Sequence, residues 1–250
     1  MSVPDRPSTD LDPPAVALAI AAHPDDVEFQ CGATLAKWAA AGTVVHHLLL
    51  TDGSKGTWDP DADLEALVAV RQDEQRAAAR ALGATGEVVF LGAIDGELDS
   101  TLERRSEVAR WIRVLQPTIV LGHDPWQRYR LHPDHRHAGW LTVDGVVAAR
   151  DPHFFREHGI AHHRPDALLL FEADEPNHVE DVTGFADAKV AALLEHRSQF
   201  ETTMAIGDAG DAGTAREVER FRARIEGELR DHGTLAGFAQ GEAFRRIPTT

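Results

Sequence analysis

The run Ala15-Val-Ala-Leu-Ala-Ile-Ala-Ala-His-Pro-Asp-Asp26 is eight apolar residues followed by four that are polar or conformationally rigid. An unbroken small-apolar run of this length is the pattern of a strand buried on both faces of a parallel sheet. Its polar end, His23 to Asp26, therefore lies at a strand's carboxyl edge, where open α/β sheets bind ligands. Downstream, Leu35, Trp38 and Ala39 recur at helical spacing within 28–41 until Gly42, a natural helix stop. A β-branched and apolar strand over 43–50 follows and breaks at Thr51-Asp-Gly-Ser-Lys-Gly56.

The alternation continues along the chain. Helix 64–82 closes on Gly83; then come strand 87–91, helix 101–115, strand 117–121 ending at Gly122-His-Asp-Pro125, helix 134–149, strand 167–171, and helices 187–200 and 214–231. Strands alternating with helices predict a Rossmann-like α/β domain whose mainly parallel sheet is covered by helices on both faces. The strand ends at His23, Asp52 and His123, with the loop on to His135, then converge on one edge. Residues 15–250 form one domain on this reading. Residues 1–14, rich in Asp and Pro, are expected to be a disordered tail, neither a signal peptide nor a strand. Gly207-Asp-Ala-Gly-Asp-Ala-Gly213 reads as a flexible surface loop, and 151–165 as a long loop or insertion carrying His153, His158, His162 and His163.

Composition narrows the function classes. The 250 residues carry 25 Lys plus Arg against 41 Asp plus Glu, a net charge of −16. Such a surface repels polyanions, so neither nucleic acid nor a membrane is expected as a partner. No window approaches the roughly 20 apolar residues that a membrane helix needs. The single cysteine, Cys31, excludes an internal disulfide and a multi-cysteine zinc site, and reads as a small buried residue. A cytoplasmic protein is expected, with a homo-oligomer left open. Fourteen histidines against one tyrosine direct any metal chemistry to His and carboxylate donors.

Two segments are dense in such donors, His23-Pro-Asp-Asp-Val-Glu28 and His132-Pro-Asp-His135. A catalytic zinc takes three N or O ligands and keeps a fourth position open, and these loops supply two histidines and one carboxylate between them. Proline stiffens each loop, and the helix that follows aims its first-turn amides at the site. Spacing does not choose between His132 and His135, or between Asp25 and Asp26. A carboxylate beside the ligands can take a proton from a water whose pKa the metal lowers to about 7.

At these residues the chain resembles the LmbE-like, or PIG-L-type, metal-dependent N-deacetylases, which include sugar deacetylases of mycothiol and bacillithiol metabolism. The resemblance runs in order from Ala21-Ala-His-Pro-Asp-Asp-Val-Glu28 through Gly32, Thr51-Asp-Gly-Ser-Lys-Gly56, the stretch Arg71 to Gly83, Val89-Phe-Leu-Gly92, Asp95-Gly96 and His132-Pro-Asp-His-Arg136 to Lys189 and His196-Arg-Ser-Gln199. It implies hydrolysis of the N-acetyl group of a small, sugar-like substrate of the N-acetylglucosaminyl type, with release of acetate and a free amine. It also implies one divalent metal, Zn2+ with Fe2+ as the alternative, on His23, Asp26 and His135. Asp25 would be the general base on the attacking water, while His132 would hold the oxyanion as imidazolium and assist the leaving amine. Asp134 is implied as a supporting residue that raises the pKa of His132 or orients its ring, and Arg71 and Asp95 match positions near the sugar. Where the family has a second glycine this chain has Ala33, a change in helix packing.

Each residue also has a plainer reading. Asp26 is an ordinary helix-start carboxylate and Asp134 a first-turn one. Arg71 is a solvated helix residue or an ion-pair partner of Glu74, and Asp95 a turn residue before Gly96. The histidines of 151–165 are too irregularly spaced to favour a second metal site, and His178 is a further histidine that could approach the pocket. Rival functions are an amidase on a larger acyl or thiol-conjugate substrate, a non-haem Fe(II) oxygenase using the same donor types, and a catalytically silent metal binder. The β–α alternation argues against the oxygenase, and the presence of both Asp25 and His132 argues against the silent protein.

Overall fold

The computed structural model describes residues 6–207 and 211–249. Its strands are β1 (Ser8–Thr9), β2 (Val16–Ala21), β3 (Val44–Thr51), β4 (Val88–Ala93), β5 (Ile119–His123), β6 (Ala167–Phe171), β7 (His178–Asp181) and β8 (Gly241–Pro248). They form one sheet in the order β1-β7-β8-β6-β5-β2-β3-β4. All pairs are parallel except those of β8, which runs antiparallel to both β6 and β7. The helices are α1 (Asp26–Ala40), α2 (Leu64–Ala81), α3 (Leu102–Leu115), α4 (Pro133–Arg150), α5 (Ala186–Leu193) and α6 (Asp211–Thr234).

The continuous apolar run of β2 is explained by its two covered faces, because successive side chains of a strand point to opposite sides. Ala17, Ala19 and Ala21 pack in one layer with Leu35 and Trp38 of α1 and Ala78 of α2. Leu18 and Ile20 pack in the other with Val108 and Ile112 of α3 and Leu141 of α4. From β2 the chain moves outward through β3 and β4, then returns to the opposite side of β2 as β5. That reversal opens a crevice at the carboxyl ends of β2 and β5, next to His23 and His123.

Two packing devices aim the helices at this crevice. Gly139 of α4 has no room for a side chain, since a Cβ there would lie 2.8 Å from the backbone of His123 and Pro125. The close approach sets the start of α4, and so His132 and His135, against the end of β5. The second device is a kink in α1 at Cys31, whose φ is −140°. The backbone N–H groups of Ala33 and Thr34 donate to the Glu242 carboxylate of β8 at 3.1 and 2.7 Å. Lys189 of α5 bonds the Phe29 carbonyl at 2.7 Å and Glu242 at 2.6 Å, stitching the two halves of the helix together. The first turn of α1, which carries Asp26, is thus held separately from the rest.

The structure departs from the sequence expectations in four places. The amino-terminal segment is not a free tail, because Ser8 and Thr9 pair with His178 and Val179 of β7 and the Leu11 N–H donates to Glu180; residues 1–5 of that expectation lie outside the described residues. The helix expected over 187–200 ends at Leu193. Ser198 instead bonds Glu74 through both its N–H and its hydroxyl, and Gln199 donates to the Gly56 carbonyl, local side-chain bonds that compete with a helical ladder. Strands β7 and β8 were not anticipated, since charged residues interrupt their apolar pattern. In 151–165 the carbonyls of Asp151, Phe154 and Phe155 accept from Arg113, and His158 bonds Ser106, so these residues tie down a loop. Of the loop expected over 207–213, residues 208–210 lie outside the described residues. His178 sits in β7 against Ser8 and Glu180, away from the cavity described below.

Candidate functional site

A cavity of about 530 Å³ opens over the carboxyl ends of β2 and β3. His23, Asp25 and Asp26 line it from the β2–α1 junction, His132 and His135 from the start of α4, and Arg71 from α2. Its rim is formed by Trp58, by Thr202 and Thr203 after α5, and by Arg224 of α6.

Three side chains converge in a triangle at its floor, His23 and His135 each facing a different oxygen of Asp26. His23 Nδ1 is 3.2 Å from His135 Nε2 and 3.3 Å from Asp26 Oδ2, and His135 Nε2 is 3.3 Å from Asp26 Oδ1. Ligand atoms about 2.0–2.2 Å from a tetrahedral zinc stand about 3.3–3.6 Å from one another, so spacings near the short end of that range suit a divalent metal with one position left open. The other nitrogen of His23 faces carboxylates, with Asp134 Oδ2 at 3.1 Å and Asp95 Oδ1 at 3.2 Å. A metal-binding histidine is typically held this way from behind, which fixes the ring and its tautomer. Burial lowers the His23 pKa, but the carboxylates of Asp134, Asp26 and Asp95 outweigh it and hold it well above its usual value. The same anionic pocket that attracts a proton to His23 attracts a metal cation.

Asp25 occupies the residue between strand and helix at φ 107°, outside the ordinary range for a residue with a side chain. Such a conformation costs about 1–3 kcal/mol and persists only where its surroundings hold it. Here the Asp25 N–H donates to Gln75 Oε1 at 2.9 Å, and Arg71 reaches the Pro24 carbonyl, the Gly53 carbonyl and Asp25 Oδ2, the last at 3.4 Å. Gly53, at φ +67°, leaves the room this guanidinium needs, since a Cβ there would approach it to 2.7 Å. Burial pushes the Asp25 carboxyl up, against the opposing charge of Arg71, to about 6.

His132 caps α4, and its Nδ1 accepts the Asp134 N–H at 3.3 Å. In the neutral ring the proton therefore sits on Nε2. Burial, and then the charge at His23, push the His132 pKa below its usual value.

All eight residues singled out from the sequence meet at this site, though some stand elsewhere within it than expected. The Asp134 carboxylate serves His23 and the N–H groups of Gly96 and Leu98, and its raising effect on His132 is outweighed. Arg71 is buried and bound to Asp25 and backbone carbonyls, neither solvated nor paired with Glu74. Asp95 both lines the cavity and backs His23.

Several residues were given no role from the sequence. Glu28, inside the quoted motif, is fully buried and joins Gln75 at 2.8 Å to His196 at 3.3 Å. His123 lies 3.4 Å from Asp26, and Glu172, just past β6, bonds His123 at 3.0 Å. Arg130 reaches Glu172 and also contacts the His135 ring. His123 at a strand end was a usable signal, whereas nothing around Glu172 marks it.

Residues 18–146 match the family described as PIG-L, GlcNAc-PI de-N-acetylase. The chain is 38% identical over 186 residues to the diacetylchitobiose deacetylase of Thermococcus kodakarensis, spanning 73% of this chain and 69% of that protein. It is 29% identical over 212 residues to the 4-oxalmesaconate hydratase of Pseudomonas putida, spanning 78% and 80%. Among solved structures, the N,N'-diacetylchitobiose deacetylase of Pyrococcus horikoshii superposes with a TM-score of 0.83 at 30% identity, covering 94% of this chain and 85% of that one. Among the described residues, no helix is long and apolar enough to cross a membrane.

Proposed function

The chain belongs to the PIG-L family of GlcNAc-PI de-N-acetylases, and on that premise we propose that it hydrolyses the N-acetyl group of an N-acetylglucosaminyl-type substrate, yielding acetate and a free amine. The observation that carries this reading is the triangle of His23, Asp26 and His135 with the Asp25 carboxyl beside it on the cavity floor.

His23, Asp26 and His135 would hold the metal, with Zn2+ favoured and Fe2+ the alternative, because N and O donors accept both. The ion, when bound, supplies Lewis acidity to the acetyl carbonyl and acidifies a water. Asp25 takes a proton from that water as its oxygen adds to the carbonyl carbon. A carboxyl pushed up to about 6 is suited to taking a proton and giving it back near neutral pH. His132 donates its Nε2–H to the developing oxyanion. As the C–N bond breaks, Asp25 returns the proton to the nitrogen; the lowered pKa of His132 favours a donor of hydrogen bonds over an imidazolium acid. Arg71 keeps Asp25 in place, and Trp58 on the rim offers an apolar face for a sugar ring.

The test is acetate release from a panel of N-acetylglucosaminyl compounds by the metal-loaded chain, beside Asp25→Asn. Release that requires metal and is lost in the variant is the expected result. Stoichiometric metal without acetate release overturns the deacetylase reading. The panel then extends to larger amides and to hydration of 4-oxalmesaconate, the reaction named for the Pseudomonas relative.

A further inference from the structure

We infer that Arg224 is a specificity-determining residue, which receives at the cavity mouth a phosphate or carboxylate group that the substrate carries beyond its N-acetylated sugar. The inference deepens the deacetylase reading and rests on it.

The acidic side chains that line the cavity already have partners. Asp25 faces Arg71, Asp26 faces the rings of His23 and His135, and Asp95 faces His23 and accepts the Lys55 N–H. Two of the cations are occupied as well. Arg71 is bound to the Pro24 and Gly53 carbonyls besides Asp25, and Lys55 Nζ donates to Glu97 at 3.0 Å. Arg224 stands apart. Among the described residues its guanidinium has no carboxylate or carbonyl partner, although Arg220, Arg222 and Arg230 of the same helix pair with Glu217, Asp187 and Glu226.

An aromatic stack holds it in place instead. The guanidinium lies over the Phe221 ring, 5.2 Å from the centroid, and the buried Phe221 meets Phe29 edge-on with centroids 6.2 Å apart. Phe29 lines the same cavity. A ring face attracts the cation without using its hydrogen-bond donors. A guanidinium carries five N–H donors and no acceptor, is always charged, and matches a phosphate or carboxylate through two parallel bonds.

The neighbouring rim hydroxyls do not duplicate this chemistry. Thr202 Oγ1 donates to Gln199 Oε1 at 3.1 Å and Thr203 Oγ1 to the Gln199 carbonyl at 2.9 Å. Their protons are committed, so towards a ligand they offer lone pairs, which suit sugar hydroxyls and disfavour an anion. On a chain of net charge −16 an anionic substrate is repelled over most of the surface, and an unpaired cation at the mouth reverses this locally. The rim thus selects an N-acetylglucosaminyl conjugate with an acidic substituent over a neutral one.

The experiment compares kcat/KM for acetate release by the Zn2+-loaded chain from three compounds. They are a neutral alkyl N-acetylglucosaminide, a glycoside of the same length ending in a carboxylate, and N-acetylglucosamine with a phosphate at its anomeric oxygen. Each is given to the wild type, Arg224→Gln, Arg224→Lys and Arg222→Gln. The better anionic compound should exceed the neutral one by about tenfold in the wild type, the difference residing in KM, and which of the two is better separates carboxylate from phosphate. Arg224→Gln should bring that ratio within twofold of one, Arg224→Lys should keep part of it, and Arg222→Gln should keep it whole. A wild-type ratio within twofold of one for both anionic compounds overturns the inference, as does a ratio that survives in Arg224→Gln. Should the Arg224 variants fail to fold, a wild-type ratio that high salt leaves unchanged overturns it. Acetate from none of the three overturns the deacetylase reading and this inference with it, a pattern distinct from release without preference.

Discussion

Gln75 Oε1 of α2 accepts the backbone N–H of Asp25 at 2.9 Å, across 50 residues of chain. The amide on the same side chain donates to the buried Glu28, so one residue both satisfies a strained backbone and joins it to the helix that follows. Replacing Gln75 with Met keeps the bulk and removes both bonds together with the contact of its amide with His47 Nδ1 at 3.2 Å. A buried donor left without a partner costs about 1–3 kcal/mol, which a urea titration would read as a lower midpoint. Displacement of Asp25 should lower kcat by about 100-fold while one metal still binds per chain, because no ligand is touched.

Asp25→Asn removes the group that exchanges the proton and leaves the metal triangle whole. Acetate release should fall by about 10²–10⁴-fold with metal content unchanged. His132→Ala removes an oxyanion donor and should cost about 10²–10³-fold in kcat. Steady-state kinetics on metal-loaded protein checks both; a variant that loses its metal along with its activity would point to a structural role for that residue.

Metal removal should destabilise the fold. A ligand that binds only the folded chain adds about 2.7 kcal/mol when present at 100 times its dissociation constant. Chelation should therefore lower the thermal midpoint and Zn2+ restore it. Asp26→Asn, which takes away the negative charge and one oxygen of the triangle, should show much less recovery.

The Lys189–Glu242 pair is buried, with side chains 4% and 2% exposed, and it closes the kink of α1. Breaking a buried pair from one side costs about 3–5 kcal/mol, because the remaining Glu242 charge keeps the two α1 amides but no counter-charge. Lys189→Met should show this loss in equilibrium unfolding. It should also weaken metal binding, since the first turn of α1 carries Asp26.

Glu180 predicts the acid limb of stability. Burial pushes its carboxyl up, but bonds from His178, Lys37 and the Leu11 backbone outweigh that and hold it below its usual value. A depressed carboxylate contributes stability above its unfolded-chain pKa and loses it as pH falls through the folded value. Glu180→Gln should be less stable than wild type near neutral pH, and the two should converge as the medium is acidified below the usual carboxylate range. A gap in urea midpoints that persists unchanged when the pH is taken well below that range would contradict this assignment.

The architecture was legible because its signal is local. The apolar run of β2, the alternation of strand and helix, and the two His-Pro-Asp segments are all short-range patterns, and each appears where it was expected. The same holds for His23 and Asp26, which follow the end of β2 because the polar residues of a buried strand lie where it emerges, while His135 enters from the first turn of α4. The 187–200 helix and strand β8 were not legible. Whether Ser198 bonds a helix carbonyl or Glu74 depends on α2 lying beside it, and the Glu242 charge is tolerable in a strand only because Lys189 and two freed amides of α1 meet it.

What the sequence determined alone was the class of fold, the donor types and the edge of the sheet on which they gather, all consequences of side-chain period and turn chemistry. Tertiary structure decided which atoms face one another. Asp134 turned to His23 although His132 is nearer in sequence, Arg71 came inward to Asp25, and Glu172, just past a strand that carries no motif, bonded His123. Such pairings join residues 46 to 111 positions apart, and hydrogen bonds act only over about 3 Å. Only the packing of helix on sheet, set by contacts such as Gly139 against β5, brings those atoms within that reach.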